Sequence, residues 1–481
     1  MRQDEYQKQD AVGLAELIRN RDVSADEVLD AAVARLDQVN GTLNAVIDRF
    51  EDEARQAIKD GLPDGPLMGV PYLIKDIGVW MKGHTTAAGA RIFKQSPPAA
   101  MDSELIAAYR RAGLVMFGKT NTPELGAAAT TESPAFGIAR NPWDLNRTCG
   151  GSSGGTASAV AAGVVPAAHG SDGGGSIRIP ASCCGLFGLK PSRGRVSSAP
   201  LGDSWNGFAV NHALTRTVRD SAALLDVSCQ NVSGDNNFLA PPATPFVREV
   251  GRDPGKLRIG YVPGMLMSAL PMDPEVGAVV ADTARLCVSL GHNVEETKIE
   301  ADFFGVRTKA NNILSTNMAQ LLNVVGAARG RPVTEEEVEG VVWIVAQDGL
   351  KLSGVEVAEA FAAVYQFNRA IGAMFDQFDV LLMATLGQIP LKVGDLSITR
   401  IDDKDAYTEA LYRFIPNTQP FNISGATAMS VPLGWSKDGL PIGIQFAARS
   451  GNEALLFRLA GQLEQGRPWA QRRPDDRAFA S

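Results

Sequence analysis

The sequence predicts an α/β fold in which a large mixed β-sheet is flanked by helices and carries a helical insert. Short apolar runs of strand length alternate with segments of helical periodicity, the pattern of a sheet covered by helices. A chain of 481 residues exceeds the usual size of one small domain, so two lobes or one large core with insertions are expected. An apolar fraction of 45% is sufficient to fill such a core.

The elements follow from local patterns along the chain. Ser24 to Glu27 form a capping box before apolar residues at helical spacing, which predicts an N-terminal helix. Thr334 to Glu337 resemble a second capped helix start, and the polar segment 141–148 is typical of turns. Further helices are predicted over 103–112, 154–163, 278–290 and much of 301–375. Strands are predicted at 69–76, 114–117, 164–168, 257–262, 292–295, 380–383, 428–432 and 442–447, and the segments 186–190 and 214–220 are expected to continue the core.

These elements group into four consecutive segments without internal repeats. Residues 1–65 form an N-terminal helical layer, and residues 66–300 form the core that carries the candidate site. Residues 301–420 form a variable, mostly helical region. Residues 421–481 return to the core.

Composition and charge argue against several classes of protein. A net charge of −8 and the lack of a basic run argue against nucleic-acid binding. The polar N-terminus and the interrupted apolar stretch at 157–168 indicate neither a secretory signal nor a membrane span. Five cysteines without CxxC spacing indicate reduced thiols and an expected cytoplasmic location. The four histidines form no HExxH motif or Cys/His cluster, so no metal or cofactor is expected.

Two glycine–serine clusters carry the chemistry: 150–155, which contains Ser152 and Ser153, and 172–181, which contains Ser176. Glycines beside a serine let a substrate approach the backbone and leave N–H groups free to donate. Such a turn can stabilise the oxyanion of acyl transfer. Either cluster alone is equally compatible with a flexible or phosphate-holding loop. Neither contains GxxxxGK[ST], however, and both match GxGxxG poorly.

A serine nucleophile needs a neighbouring base that removes its proton. Gly150 to Gly154 fits the GxSxG nucleophile elbow, but the segment before it is not a buried strand, and no histidine follows His292. A lysine deprotonated by burial is an established alternative to histidine. Lys75 follows an apolar run and is the best placed, although such a lysine, taken alone, more often extends its amine to water.

Taken together, Lys75, Gly-Gly-Ser152-Ser-Gly-Gly and Asp-Gly-Gly-Gly-Ser176-Ile-Arg closely resemble the amidase-signature family. Ser176 lies 24 residues after Ser152, a spacing similar to that of the family. Additional matches lie at 118–124, 140–143, 184–191, 216–220 and 439–445. Within the family, 140–143, 167–170 and 421–425 are most similar to bacterial catabolic amidases near 6-aminohexanoate cyclic-dimer hydrolase and aryl acylamidases.

The resemblance implies an amidase-signature fold, with the helical insert covering the substrate, and hydrolysis of a carbon–nitrogen amide bond in a linear or cyclic small molecule. It implies that Ser176 is acylated. It also implies that Ser152, beside a cis peptide, passes a proton between Ser176 and Lys75.

The resemblance further implies an oxyanion hole made by the backbone N–H groups of Gly173, Gly174, Gly175 and Ser176. Ser153, Asp172 and Arg178 are implied as residues that support these groups, with ordinary turn and cap roles as the alternative. Two positions depart from the family pattern, since Thr427 and Ala384 stand where many members carry proline.

The substrate and the assembly remain open at this level. A small-molecule amide is the expected ligand, with a homodimer as one possible assembly. The alternatives are a glutaminase-type amidotransferase subunit and a catalytically silent binding subunit, although the filled triad favours an enzyme. Cys149 and the histidines at 84, 169 and 212 have no assigned place relative to the pocket. Apolar pocket walls, or equally core packing, are expected from Phe303, Phe304, Trp343, Tyr365, Phe367, Tyr407 and Tyr412.

Overall fold

The computed structural model describes residues 1–399 and 401–479, which form helices on both faces of a large sheet. The α-helices are α1 (Gln3–Lys8), α2 (Ala11–Arg19), α3 (Ala25–Leu43), α4 (Glu51–Asp60), α5 (Glu104–Arg111), α6 (Gly154–Ala161), α7 (Arg178–Cys184), α8 (Val218–Ser228), α9 (Pro274–Ser289), α10 (Phe303–Arg329), α11 (Gly340–Lys351), α12 (Gly354–Gln377), α13 (Lys404–Phe414), α14 (Gln419–Ile423) and α15 (Glu453–Gly466). In the described part of the chain, no helix is both long and apolar enough to cross a membrane.

The β-strands alternate with these helices over most of the chain. They are β1 (Val46–Arg49), β2 (Pro71–Lys75), β3 (Val115–Thr120), β4 (Glu132–Ser133), β5 (Gly137–Ile138), β6 (Arg140–Asn141), β7 (Asp144–Thr148), β8 (Ala167–Asp172), β9 (Phe187–Lys190), β10 (Val210–Thr215), β11 (Arg258–Tyr261), β12 (Asn293–Glu296), β13 (Val380–Ala384), β14 (Thr427–Trp435) and β15 (Pro441–Ala448). The predicted alternation of strands and helices is confirmed.

The large sheet contains eight strands in the order β12-β11-β13-β15-β14-β9-β10-β8. Strand β11 pairs in parallel with both β12 and β13, whereas the remaining neighbours are antiparallel. The sheet is therefore mixed, as predicted. Its apolar side chains pack with the surrounding helices into the main core.

A second sheet contains three strands in the order β1-β3-β2, and Lys75 lies at the buried end of β2. Strands β2 and β3 are parallel and pair Lys75 with Thr120. Strand β2 also packs beside β8, the edge strand of the large sheet. The carboxyl end of β2 therefore reaches the glycine-rich segment that follows β8.

The N-terminal capping box is confirmed. The Ser24 hydroxyl accepts from the Glu27 N–H at 3.2 Å, and the Glu27 carboxylate accepts from the Ser24 N–H at 2.8 Å. These bonds satisfy two of the N–H groups that a helix start leaves unpaired. The buried face of α3, which includes Val28 and Leu36, then packs into the main core.

The helices predicted over much of 301–375 are present as α10, α11 and α12, with two differences from expectation. Thr334 to Glu337 do form a capping box, but they begin only a short 3₁₀ turn, and α11 starts at Gly340. Strand β13 lies within the segment 301–420 and yet occupies the interior of the large sheet. The four-segment division otherwise stays a prediction.

Three local expectations were wrong for identifiable reasons. The segment 141–148 forms the β6–β7 pairing instead of turns alone, because its backbone pairs despite its polar composition. The strand expected at 164–168 begins later, at Ala167, since Gly163 has a left-handed φ of 77° and Pro166 intervenes. No helix was predicted over 178–184, yet α7 forms there, and its Pro180 lies in the first turn, where proline is tolerated.

The close packing of α6 generates a stability prediction. A Cβ on Gly155 would lie 2.4 Å from the Asn121 backbone nitrogen and 2.5 Å from the Ala45 carbonyl oxygen. Gly155→Ala should therefore destabilise the fold by about 1–3 kcal/mol, because the backbone must move. The matched control is Gly41→Ala in α3, where nothing lies within 4 Å of the added Cβ. It should stabilise the protein by about 0.5–1 kcal/mol. Urea denaturation compares them, and equal midpoints would contradict the packing argument.

Candidate active site

Lys75 is the last residue of β2 and is fully buried. The apolar residues Tyr72 to Ile74 carry it into the interior, where its Nζ donates to Ser152 Oγ at 2.7 Å and to Ser171 Oγ at 3.0 Å. Burial lowers the pKa of Lys75 to about 7, against the opposing attraction of the Asp172 carboxylate. An amine with this pKa is substantially neutral near pH 7 and can accept a proton.

The neighbouring carboxylate Asp76 is directed away from this amine. Asp76 Oδ1 accepts from Lys119 Nζ at 3.2 Å, and Oδ2 accepts from the Ala87 N–H at 3.1 Å. Burial raises the pKa of Asp76 to about 6 in spite of the Lys119 charge. Asp76 is thus paired with another lysine, Lys119, and does not contact the Lys75 amine.

Ser152 lies in the loop before α6, and the Gly151–Ser152 peptide is cis. Its carbonyl oxygen accepts from Thr122 Oγ1 at 2.8 Å. A Cβ on Gly151 would lie 2.6 Å from the Thr130 carbonyl oxygen, so only glycine fits before this serine. The loop therefore holds Ser152 by contacts on its backbone and leaves the hydroxyl to Lys75.

Ser153 joins this loop to the second glycine–serine cluster. Its N–H donates to the Ser176 carbonyl at 3.3 Å. Its hydroxyl donates to the Ser171 carbonyl at 3.3 Å and accepts from the Ser171 N–H at 3.4 Å. Ser153 thereby keeps the loop that carries Ser152 beside the end of β8.

Asp172 organises the glycine turn that follows β8. Its carboxylate accepts from the N–H groups of Gly175 at 2.7 Å and Ile177 at 3.2 Å. Arg178 Nε and Nη2 each approach the same carboxylate at 2.9 Å. Burial alone would raise the pKa of Asp172, but the Arg178 charge and these hydrogen bonds lower it to about 2. Asp172 is therefore ionised over the whole working range of pH.

Arg178 is fully buried, and all five of its guanidinium hydrogen bonds are made to protein groups. Besides Asp172, its partners are the Thr418 carbonyl at 2.7 Å, Gln445 Oε1 at 2.8 Å and Asn422 Oδ1 at 2.6 Å. Arg178 thus connects the glycine turn to α14 and β15.

Ser176 follows the glycine turn at the wall of a cavity. Its hydroxyl makes no hydrogen bond within residues 1–399 and 401–479. Of the two contacts that the predicted relay needs, the Lys75–Ser152 hydrogen bond is present, whereas no Ser152–Ser176 hydrogen bond is formed among the described residues.

The backbone donors around Ser176 differ in one respect from the sequence prediction. The Gly175 N–H points to Asp172 Oδ1 and is unavailable as an oxyanion donor, so its place in the predicted oxyanion hole is not supported. Among the described residues, no protein partner takes the N–H groups of Gly173, Gly174 or Ser176. These three groups are free to bind an oxyanion.

The cavity beside Ser176 has a volume of about 640 Å³. Its floor contains Gly174 and Ser176, and much of its wall comes from the helical region. Helices α10, α11 and α13 contribute, among others, Arg307, Asn311, Ser315, Met318, Val341, Val345, Asp348, Tyr407, Leu411 and Tyr412.

Only Tyr407 and Tyr412 of the expected aromatic residues reach this cavity. Phe303 and Phe367 stack edge to face in a buried cluster, with ring centroids 5.5 Å apart. Three others lie elsewhere: Trp343 borders a separate groove, and Phe304 and Tyr365 are exposed. Trp205, which carries a left-handed φ of 52°, lines the cavity and was not expected.

Among the described residues that line this cavity, none is a histidine or a cysteine. Burial and the charge of Lys75 lower the pKa of His169 to about 3, and burial lowers that of His212 to about 3. Cys149 is buried and its thiol donates to the Ala139 carbonyl at 3.1 Å. All five cysteines are free thiols, and the cytoplasmic location stays a prediction.

Several residues around the site were missed or left without a role. Ser171, the second hydrogen-bond partner of Lys75, was not predicted as a site residue. The signal for it in the sequence is a polar residue within a strand that is otherwise mostly buried. Asn422 and Gln445 belong to segments that resemble the family, but nothing local shows that both bind Arg178. Neither Ala384 nor Thr427 disturbs the fold, since they lie within β13 and β14.

The mixed sheet, the buried lysine and the two glycine–serine clusters are the features expected of an amidase. The model of the Amidase family matches residues 27–457, so the chain belongs to this family and hydrolyses amide bonds.

Individual relatives are similar over nearly the whole chain. The 6-aminohexanoate-cyclic-dimer hydrolase of Paenarthrobacter ureafaciens is 38% identical, covering 97% of this chain and 96% of the relative. A solved structure of 6-aminohexanoate cyclic dimer hydrolase complexed with substrate matches with a TM-score of 0.93 and 36% identity, over 98% of this chain and 99% of that one. A bacterial aryl acylamidase structure matches with a TM-score of 0.86 and 26% identity, over 96% and 97% of the two chains. The predicted resemblance and fold class are confirmed.

The Arg178 network generates the second prediction. Arg178→Met removes the charge that compensates Asp172 and leaves a fully buried carboxylate unpaired. The variant should lose about 3–5 kcal/mol of stability, the usual effect of breaking a buried ion pair from one side. Arg258→Met is the matched control, because the Arg258–Asp379 pair is largely exposed, and its denaturation midpoint should change little. Urea denaturation measures both, and similar midpoints would disprove the structural importance of Arg178.

Proposed function

We propose that the chain hydrolyses a small-molecule amide through an acyl-enzyme on Ser176, with Ser152 and Lys75 as the proton relay. The observation that carries this proposal is the short bond between the Lys75 amine and the Ser152 hydroxyl, 2.7 Å long. Burial lowers the pKa of that same amine to about 7. A neutral lysine beside a serine is a base of the kind that acyl transfer needs when histidine is absent.

In the acylation step, Ser176 Oγ attacks the amide carbonyl carbon and forms a C–O bond. Its proton passes to Ser152, whose own proton passes to Lys75. This step requires the Ser176 hydroxyl to turn toward Ser152. The oxygen that becomes negative is stabilised by the N–H groups of Gly173, Gly174 and Ser176.

The tetrahedral intermediate then collapses and its C–N bond breaks. The leaving nitrogen takes the proton of Ser152, which is replaced from Lys75, so an amine departs and the acyl group stays on Ser176. Water next attacks the ester, giving its proton to the same relay. The carboxylic acid leaves, and the Ser176 oxygen regains a proton. No net proton or electron is left on the enzyme.

The substrates that we propose are linear and cyclic amides of small molecules. Relatives named 6-aminohexanoate-cyclic-dimer hydrolase support the cyclic class, because the similarity extends over nearly the whole chain. A cavity of about 640 Å³ lies within the usual size range of small-molecule sites. Its lining combines apolar side chains such as Met318 and Leu411 with the polar groups of Ser176 and Asn311.

Ser176→Ala tests the nucleophile. The variant should lose at least about 10³-fold in kcat for an amide substrate and should no longer be labelled by a fluorophosphonate probe. Ser289→Ala, an exposed serine at the end of α9, serves as the control and should keep both properties. Hydrolysis by Ser176→Ala within about tenfold of the wild-type rate would exclude the proposed acyl-enzyme.

The pH dependence of kcat/KM tests the base. Lys75 must be neutral to accept a proton, so kcat/KM should fall as the pH decreases below about 7 and level off above it. Lys75→Met should lose about 10²–10⁴-fold and lose this acid limb. His169→Gln and His212→Gln should keep the limb, because burial already keeps both imidazoles neutral with a pKa of about 3. A folded histidine variant as inactive as Lys75→Met would refute the lysine mechanism.

A further inference from the structure

One wall of the cavity presents hydrogen-bond donors that the proposed reaction does not use. The wall is formed by Arg307 and Asn311 of α10, Tyr412 of α13 and Gln419 of α14, and all four line the cavity beside Ser176. Together they are called the donor wall. Its arrangement is determined by the Tyr412 hydroxyl at its centre.

The Tyr412 hydroxyl orients the two amide side chains. Its Oη donates to Gln419 Oε1 at 2.9 Å and also lies 3.5 Å from Asn311 Oδ1. With both amide oxygens turned to the tyrosine, the NH₂ groups of Asn311 and Gln419 are directed elsewhere. Neither NH₂ group has a hydrogen-bond partner within the described residues. Neither nitrogen is shut off from solvent. Both are therefore available to a ligand in the cavity.

Arg307 adds a fixed positive charge to the same wall. Its guanidinium lies 4.5 Å from the centroid of the Tyr412 ring and 5.1 Å from that of Phe304. Its Nη1 donates to the Met267 carbonyl at 3.0 Å. These contacts hold the group in place, and in residues 1–399 and 401–479 its Nε and Nη2 have no acceptor. Arginine has no acceptor atom, so the free guanidinium nitrogens add donors to the two free NH₂ groups of the wall.

The donor wall is connected to the oxyanion segment through one residue. Thr418 precedes Gln419 and donates from Oγ1 to the Gly174 carbonyl at 2.7 Å. A Cβ on Gly175 would lie 2.4 Å from that same Oγ1, which shows how closely the two segments pack. A ligand whose carbonyl lies at Gly174 and Ser176 can therefore reach the wall with another part of the same molecule.

We propose that the donor wall is a recognition site for a second oxygen acceptor on the substrate, separated from the scissile carbonyl by a flexible or cyclic linker. This inference rests on the proposed function and specifies its substrate class as bifunctional amides. The second acceptor is a carboxylate or another amide carbonyl, which share the chemistry that Arg307, Asn311 and Gln419 can bind. A hydrocarbon chain at this position would leave these donors without partners.

Such a wall discriminates by the penalty for unpaired donors. A site built to hydrogen-bond a substrate oxygen rejects the analogue that lacks it far more strongly than an apolar pocket rejects a missing methylene. The donor wall should therefore give at least about tenfold higher kcat/KM to a substrate with the second acceptor. A preference of this origin disappears when the donors are removed.

The test compares matched substrates of varied chain length. One series contains alkanoyl anilides and their ω-carboxy and ω-carbamoyl counterparts. Their hydrolysis is measured by the release of aniline. The other series contains N-alkylbenzamides and counterparts that carry an ω-carboxy or ω-carbamoyl group on the amine side. Their hydrolysis is measured by the release of benzoate. The inference requires a preference for the acceptor-bearing members in at least one series. The ω-carboxy and ω-carbamoyl members separate the two acceptors.

Variants assign the preference to the wall. Arg307→Met removes the guanidinium, and Gln419→Glu replaces the NH₂ donor by an oxygen with little change in shape. Both should reduce the ratio of kcat/KM between acceptor-bearing and plain substrates toward one, and Gln419→Glu should penalise the ω-carboxy members most. Arg369→Met is the matched control, because Arg369 is exposed on α12 and does not line the cavity, and it should leave the ratio unchanged. Thermal unfolding confirms that each variant is folded.

The outcomes for the two proposals are distinguishable. If wild-type protein hydrolyses the plain anilides through Ser176 but shows no acceptor preference in either series, the donor wall is not a recognition site. The same conclusion follows if the preference survives both Arg307→Met and Gln419→Glu. If no member of either series forms an acyl-enzyme on Ser176, the proposed function fails first and the inference fails with it.

Discussion

The ion pair between Asp172 and Arg178 is the constraint on which the rest of the site depends. Both side chains are fully buried, and such a pair contributes little net stability because both charges must be desolvated. Its value here is geometric, since a carboxylate with fixed partners determines where backbone N–H groups point. By accepting from Gly175 and Ile177, Asp172 sets the turn that presents Ser176. Arg178 extends this constraint to α14 and β15, so distant parts of the chain meet at one turn.

The same carboxylate tunes the candidate base without contacting it. Burial lowers the pKa of Lys75 to about 7, while the attraction of Asp172 keeps it from falling further. Burial also lowers the pKa of Lys190 to about 7, but its amine donates to the Pro191 carbonyl at 2.8 Å and lies outside the cavity. A shifted pKa alone therefore does not identify a catalytic lysine. The distinction comes from the strand end, which places Lys75 beside Ser152 and Ser171.

The sequence was sufficient for features that short-range patterns encode. The apolar run before Lys75 predicted a buried strand with a lysine at its end, and Ser24 with Glu27 predicted a helix start. It was insufficient where three-dimensional geometry decides. The carboxylate that binds the Gly175 N–H is only three residues away, yet residue types alone do not show which N–H of the turn it takes, because that depends on the turn's conformation. Apart from Asp172, the partners of Arg178 are more than 200 positions away, so the family resemblance marks the segments of Asn422 and Gln445 without explaining them.

The proposed chemistry and the proposed recognition involve different parts of the fold. The lysine, the serines and the glycine turn lie on short connections next to strands, where backbone hydrogen bonds and buried charges restrict movement. The wall of the cavity comes largely from α10, α11 and α13, which carry none of these groups. Relatives can therefore share a reaction while differing in substrate, which is why fold alone does not assign one. In this chain, Tyr412 connects the two parts, because it aligns the donors of α10 with Gln419, next to the threonine that contacts the glycine turn.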